Sequence, residues 1–179
     1  MRGRLVRLLE TSRPTIKEEA DETSAHPGMP LRRALRIDIP ALAALQQAAY
    51  APLKARIGMS LPPADADFTA IFETMEIWVE GSAEALDAAL ILDVKPDHLL
   101  IWSIAVAPER KGARLGSALL DFAEHRALEA GLGEIRLYTN ERFTENVAWY
   151  LRRGFAIERI EQRPDRRIVH FRKKLGSEA

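Results

Sequence analysis

The sequence contains no cysteine. That excludes disulfide frameworks, thiolate metal sites and a cysteine nucleophile together, and it agrees with a reducing compartment. An excess of charge of either sign is missing as well: 26 Lys and Arg balance 26 Asp and Glu. Nucleic-acid binders ordinarily carry a basic excess that neutralises phosphates, so no nucleic-acid partner is expected. Long apolar runs are absent too, none approaching the roughly 20 residues of a membrane-spanning helix. Near the N-terminus Leu5-Val6 and Leu8-Leu9 are only apolar pairs, against about 7–15 residues in a signal-peptide core. No membrane partner is expected, and the cytoplasm is the expected location. Histidines number four, at positions 26, 98, 125 and 170. No His/Asp/Glu group has metal-ligand spacing, so no metal is expected. Ser103 and Ser117 lack the context of a catalytic triad.

What is present suits one globular domain: 179 residues, 47% hydrophobic and 29% charged. The stretch Thr11 to Pro30 carries Pro14, Pro27, Gly28, Pro30 and many charges. Such a segment buries too little surface to offset the entropy of ordering it. The expected organisation is a flexible tail over 1–30, a domain over 31–175 and a short C-terminal tail over 176–179.

Leu31 to Ile37 reads as a first strand. Asp38 is placed to cap a helix, with Pro40 early in it and Leu42, Leu45 and Ala49 at helical spacing to Tyr50. Ala51-Pro52 is expected to end that helix. A second helix is expected from Ala64 to Met75, with Phe68, Ile71, Phe72 and Met75 on one face. Three extended runs follow: Ile77–Val79, Leu86–Val94 and Leu99–Val106, the last two joined by a Pro96-Asp97 turn. Leu115 to Ala130 is the clearest helix, and Gly131 ends it. A strand over Ile135–Thr139, a helix over Thr144–Arg152 and strands over Gly154–Ile160 and Ile168–Lys174 complete the order β-α-α-β-β-β-α-β-α-β-β. Hairpins followed by helical crossovers predict a mixed sheet with helices on both faces, an α/β fold of the α+β type.

Chemistry concentrates between Val106 and Leu120, which reads VAPERKGARLGSALL. A strand ends at proline, a short basic loop follows, and a helix begins. The free amides and positive dipole end of a helix N-terminus form an anion site. Glycine lets the backbone approach a phosphate closely. Arg110, Lys111 and Arg114 add positive charge there. The spacing fits neither the P-loop nor the dinucleotide fingerprint. From these residues alone, an ordinary strand–loop–helix connection with solvated charges is an equal reading.

Val106, Pro108, Lys111, Gly112 and Gly116 resemble the acyl-CoA pyrophosphate loop of the GNAT N-acetyltransferase superfamily, which usually reads Gln/Arg-x-x-Gly-x-Gly/Ala. Here lysine replaces Gln/Arg, and Arg114 stands at the first glycine. A second segment, TNERFTENVAWYLRRGF from Thr139 to Phe155, resembles the part of the same family in which Thr-Glu-Asn opens a helix and a tyrosine precedes Gly-Phe. Tyr150 and Gly154-Phe155 fit that pattern. Thr144 is a plausible N-cap, and Asn146 and Tyr150 share a helix face at i, i+4. More loosely, the resemblance runs from about Leu31 to Leu175.

The resemblance implies a GNAT-like fold with a mostly antiparallel, six- to seven-stranded mixed sheet. It implies acetyl-CoA as co-substrate and a primary amine, of a small molecule, as acceptor, reacting directly in a ternary complex. Strands Ile101–Val106 and Ile135–Thr139 would splay to admit the pantetheine arm beside Ile104, Ala105 and Val106. The pyrophosphate would sit against Lys111, Gly112, Ala113, Arg114, Leu115, Gly116 and Ser117. Tyr150 would act as general acid toward sulfur, and Asn146 would fix the pantetheine or Tyr150. Many relatives carry a carboxylate where this chain has Trp102-Ser103. Glu73, Glu76 and Glu141 are the candidate bases. Alternatives are a protein N-terminal or lysine acetyltransferase and a non-catalytic acyl-CoA sensor on the same fold. The oligomeric state is open, a homodimer among the options.

Overall fold

In the computed structural model, residues 24–26 and 29–176 are described. The expected tails at 1–23, 27–28 and 177–179 lie outside them. The strands are β1 (Ser24–His26), β2 (Met29–Arg33), β3 (Glu76–Gly81), β4 (Leu86–Val94), β5 (Leu99–Val106), β6 (Glu134–Asn140), β7 (Ala156–Gln162) and β8 (Arg167–Lys174). The helices are α1 (Ile39–Ile57), α2 (Pro62–Asp65), α3 (Phe68–Thr74), α4 (Leu115–Glu129) and α5 (Thr144–Arg152). Strands β2 to β8 form a seven-stranded mixed sheet, which the short β1 extends at one edge, in the order β1-β2-β3-β4-β5-β6-β8-β7. Every junction is antiparallel except β5 with β6. The sheet is the one expected.

Helices cover both faces because the central strands are apolar on both. In β4, Ala88, Leu90 and Leu92 pack in one cluster with Leu119, Leu120 and Ala123 of α4. Their alternates Ala89 and Ile91 join a second cluster with Leu42 and Leu45 of α1 and Phe68 and Ile71 of α3. That is why Leu86–Val94 reads as an unbroken apolar run. Helix α4 ends as expected. Gly131 takes φ +72°, and the Leu132 amide reaches back to the Ala127 carbonyl at 2.8 Å, a left-handed C-terminal closure.

Four local expectations are corrected. The first strand stops at Arg33, and a 3-10 turn occupies Arg36–Asp38. Asp38 does not cap α1 with its side chain. Its carboxylate turns back onto Arg32 at 2.7 and 2.8 Å and onto the Leu35 amide at 2.7 Å. Helix α1 runs through Pro52 to Ile57. Pro52 removes the bond to the Ala48 carbonyl, but both residues are exposed, so water takes its place. The expected second helix is two, split at extended Ala66, with Asp67 capping α3 through the Thr69 and Ala70 amides.

Thr144 is the first residue of α5, and Phe143 holds the cap position. The turn before it is closed from upstream. The Asn140 side-chain oxygen accepts from the Arg142 amide at 2.9 Å, and its carbonyl accepts from the Phe143 amide at 3.0 Å. Phe143 is buried against Ile57, Leu61 and Ala64. This anchoring, rather than a hydroxyl cap, sets where α5 starts and where its Tyr150 falls.

Candidate active site

Strand β5 is irregular in a way that shapes the site. Ile91 pairs with Ser103 and Leu92 with Ile101, which leaves Trp102 as an extra, bulged residue. Leu99 and Ile101 face the α4 side. Past the bulge the pleat is offset, so Ala105 and Ala107 face the α1 side and Ile104 and Val106 the α4 side. Trp102 itself packs against the α1 side.

The junction of β5 with β6 is equally incomplete. The strands pair only at Leu99 with Ile135 and Leu100 with Arg136, and then part. On its other edge β5 stays paired with β4 through Val106. The Ala107 amide donates to the Asp87 carbonyl at 2.8 Å. Antiparallel ladders alternate, so Ala105 exchanges its bonds with Ala89 of β4, while the amides and carbonyls of Ile104 and Val106 turn toward the gap. Of the three backbone positions singled out in the sequence, two therefore face the opening and Ala105 does not.

A cavity of about 340 Å³ fills the gap. Its walls are Ile101–Ile104 of β5, Leu137–Asn140 of β6, and Asn146 and Tyr150 of α5. Tyr50, Leu53 and Leu61 close one end, and Arg163, Arg166 and His170 of the β7–β8 hairpin reach another. Asn146 and Tyr150 thus meet in the cleft, as the i, i+4 spacing requires. The Tyr150 ring contacts Trp149, Phe155 and Phe171 at centroid distances of 4.9, 5.8 and 5.6 Å. Its hydroxyl makes no hydrogen bond among the described residues. Burial, and then the neighbouring Tyr50, push its pKa well above the ordinary phenol value of 10. The hydroxyl stays protonated and is available only as a donor or a neutral acceptor.

One polar cluster is absent from the expected site residues. Tyr50 lies 3.2 Å from Ser103 Oγ and donates to the Ile104 carbonyl at 3.4 Å. Ser103 Oγ donates to Gln46 Oε1 at 2.9 Å, and Gln46 is wholly buried. The chain Gln46–Ser103–Tyr50 pins α1 to the bulge and takes up one of the outward-facing β5 carbonyls. Its only sequence signal is a glutamine and a tyrosine four residues apart on an otherwise apolar helix.

None of the three candidate bases lines the cavity. Glu76 is held by Arg126 at 2.6 and 2.9 Å. Glu73 pairs with Arg36, and Glu141 with Arg167 at 3.0 Å.

At the wide end of the gap the chain enters the basic loop. Gly112 has φ +90°, and Arg114 occupies the left-handed region at φ 60°, ψ 14°. Arg114 is the sole non-glycine residue with positive φ among those described. It thus adopts the dihedrals that a glycine would, at a cost of about 1–2 kcal/mol. Leu115 opens α4 with no side-chain cap. The Ser117 and Ala118 amides turn to the Arg114 carbonyl at 3.1 Å, while the first amides of the helix have no intrahelical acceptor. Lys111 and Arg114 are exposed and form no ion pair among the described residues; Arg110 lies 3.5 Å from Asp87.

Residues 71–155 match the profile of the acetyltransferase (GNAT) family. Over this region, slightly under half of its length, the chain is similar to the GNAT acetyltransferases. That match spans both the basic loop and the Tyr150 segment. Solved structures share the fold. The ribosomal-protein-S18-alanine N-acetyltransferase of Escherichia coli superposes with a TM-score of 0.67 at 18% identity, over 83% of this chain and 95% of that one. The PaiA N-acetyltransferase of Thermoplasma acidophilum, solved in complex with coenzyme A, gives 0.65 at 18% identity over 82% and 99%. Ard1 of Thermoplasma volcanium gives 0.63 at 14% identity over 82% and 97%. At such identities the likeness is one of fold. No curated protein matches the sequence significantly. In this GNAT-like fold the split between β5 and β6 is where strand pairing is given up. No group of three or more His, Cys, Asp or Glu side chains among the described residues is arranged to hold a metal ion.

Proposed function

We propose that the chain is an acetyl-CoA-dependent N-acetyltransferase, located in the cytoplasm, that acetylates the primary amine of a small molecule by direct attack in a ternary complex. The observation that carries this reading is the cleft between β5 and β6. There the outward-facing Ile104 amide, Asn146 and the Tyr150 hydroxyl line one cavity, and the same strand runs on through Val106 to the basic loop and the uncapped N-terminus of α4. Bound acetyl-CoA would supply the activated thioester. The amides of Gly112, Arg114, Leu115 and Gly116 would hold its pyrophosphate, the Ala113 amide being taken by the Arg110 carbonyl at 3.2 Å, with Lys111 and Arg114 adding charge. The outward amides of β5 would pair with its amide-bearing arm and orient the carbonyl. Tyr150 would donate a hydrogen bond to the departing sulfur. The departing thiolate, whose thiol has a pKa near 8.5, is a weaker base than ionised Tyr150. The proton that ends on sulfur therefore comes, on balance, from the attacking amine.

The cavity lining contains no carboxylate, which favours a second reading, an acyl-CoA sensor without turnover. A panel of amines with acetyl-CoA, followed by thiol release, separates the two. The protein has no cysteine, so it contributes no background. Amine-dependent thiol release is expected. Tight CoA binding with no turnover on any amine would establish the sensor.

The left-handed Arg114 offers a further check. Arg114→Gly relieves backbone strain, so stability is expected to hold or rise by up to about 1 kcal/mol in chemical denaturation. Acetyl-CoA affinity is expected to fall several-fold at low salt and to approach wild type at high salt, where charge is screened. An unchanged affinity at low salt would assign the phosphate grip to main-chain amides alone.

A further inference from the structure

The acceptor end of the cavity has a definite charge. Arg163, Arg166 and His170 line it, whereas no Asp or Glu does. All three come from the hairpin of β7 and β8. That hairpin reverses through Pro164 and Asp165, and the Arg163 amide bonds to the Arg166 carbonyl at 2.8 Å. This turn puts both guanidinium groups on the same side of the opening.

The neighbouring carboxylates do not cancel them. Glu161 is outside the lining and is shared among His170 Nε2 at 2.8 Å, Arg163 Nε at 2.8 Å and Arg159 at 3.5 Å. Hydrogen bonds from His170 and then Arg163 hold its pKa down to about 2, so it stays ionised and keeps both side chains in place. One carboxylate thus serves two arginines and a histidine. Arg166 Nε lies 3.3 Å from Asp165 Oδ1, an ion-pair contact that lacks hydrogen-bond geometry, and it has no hydrogen-bond acceptor among the described residues. Its Nη1 donates to the sulfur of Met59, at 3.8 Å. This guanidinium is three-quarters buried, with 26% of its side chain exposed, and among the described residues it makes fewer bonds to oxygen than such a group ordinarily does.

We propose that the acceptor amine carries an anionic group, a carboxylate or a phosphate, which Arg166 and Arg163 bind while the amine faces Tyr150. The inference rests on the acyltransfer reading above and deepens it. The volume, about 340 Å³, lies at the small end of ligand pockets, roughly 300–1,000 Å³, and the acyl donor's tip shares it. An acceptor of amino-acid size fits, with amine and acid separated by a short linker. A polycationic amine would instead face two guanidinium groups in a lining that offers it no carboxylate, which disfavours it. The planar fork of arginine suits a carboxylate or phosphate bidentately.

The test pairs acceptors that differ only in the anion: a set of amino acids against their carboxamides, and phosphoethanolamine against ethanolamine, each with saturating acetyl-CoA. The expected result is a kcat/KM at least tenfold higher for the charged member of one pair. Whichever pair responds distinguishes carboxylate from phosphate. Arg166→Gln is expected to raise KM for that acceptor 10- to 100-fold with kcat and the acetyl-CoA KM little changed, and Arg166→Lys to recover part of the loss. A thermal melt of each variant controls for folding. Turnover of amines with no preference for the anion overturns this inference while leaving the acyltransferase reading intact. So does an equal rise in the acetyl-CoA KM, which would mean that the arginines grip the donor. A preference for peptides over free acceptors overturns the small-molecule assignment. Absence of turnover with every amine strikes the acyltransferase reading itself.

Discussion

Tyr150→Phe is expected to lower kcat by about 10²-fold, the low end for losing a positioned acid–base group, because the hydrogen bond to the departing sulfur is lost, while acetyl-CoA affinity and thermal stability stay close to wild type. The split follows from the surroundings of the ring. Its packing on Trp149, Phe155 and Phe171 is aromatic, and phenylalanine preserves it. The hydroxyl bonds to no described residue, so its removal leaves no protein group unpaired. Steady-state kinetics, binding of CoA and a melt on the same preparation check all three quantities. A fall of less than threefold in kcat would remove Tyr150 from the chemistry and leave it as a packing residue.

The acidity of Tyr150 gives the pH profile a sign. Its active form is the protonated one, and burial raises the value above 10, so the donor is lost only beyond that pH. Turnover is expected to rise as the acceptor amine deprotonates and then to show no descending limb up to pH 10. A descending limb near neutrality would point to a different donor.

The second large effect concerns stability. Asp38→Ala is expected to cost about 3 kcal/mol in urea denaturation, the low end for breaking a buried ion pair. Asp38 is 1% exposed and bonds bidentately to Arg32, whose side chain is 28% exposed. Removing the carboxylate takes two charge-assisted bonds from that guanidinium, which keeps its bonds to the Arg33 and Gly81 carbonyls, and deprives the Leu35 amide of its acceptor. The double variant with Arg32→Ala is expected to lose less than the two single losses together, because the buried charge goes with its partner. Additivity within about 0.5 kcal/mol would mean that the pair is not coupled. Arg32, foremost through its hydrogen bonds, holds the Asp38 acidity below the usual 3.8. A depressed value gives stability that is present above about pH 4 and is lost as pH falls through the folded-state value. Wild type should therefore lose stability more steeply on acidification than Asp38→Asn. The consequence reaches the cleft, because Asp38 begins α1, which carries Gln46 and Tyr50 to the bulge of β5.

Local patterns in the sequence were enough to place β4 at Leu86–Val94, β5 at Leu99–Val106 and α5 at Thr144–Arg152, each at the bounds observed. They also located α4 and its stop at Gly131. Apolar period, turn residues and end signals lie within a few positions of one another, so a window along the chain contains them. The basic loop and the Tyr150 helix were legible for the same reason, and both fall inside the matched 71–155 region. Local signals misled where burial elsewhere decided the outcome. Pro52 continues a helix because its freed carbonyl partner is exposed, and Phe143 rather than Thr144 holds the cap position of α5 because its ring is buried.

The cleft itself is a property of the tertiary structure. Trp102 becomes a bulge only through the register that β4 imposes, and β5 leaves β6 after two pairs because the sheet order sets an antiparallel hairpin beside a parallel crossover. Tyr50 meets Ser103 across 53 positions, and Arg166 reaches Met59 across 107. The donor half of the site is contiguous in the chain and was written in its sequence. The acceptor half is assembled from α1, β5, α5 and the β7–β8 hairpin, and its charge exists only where those elements converge.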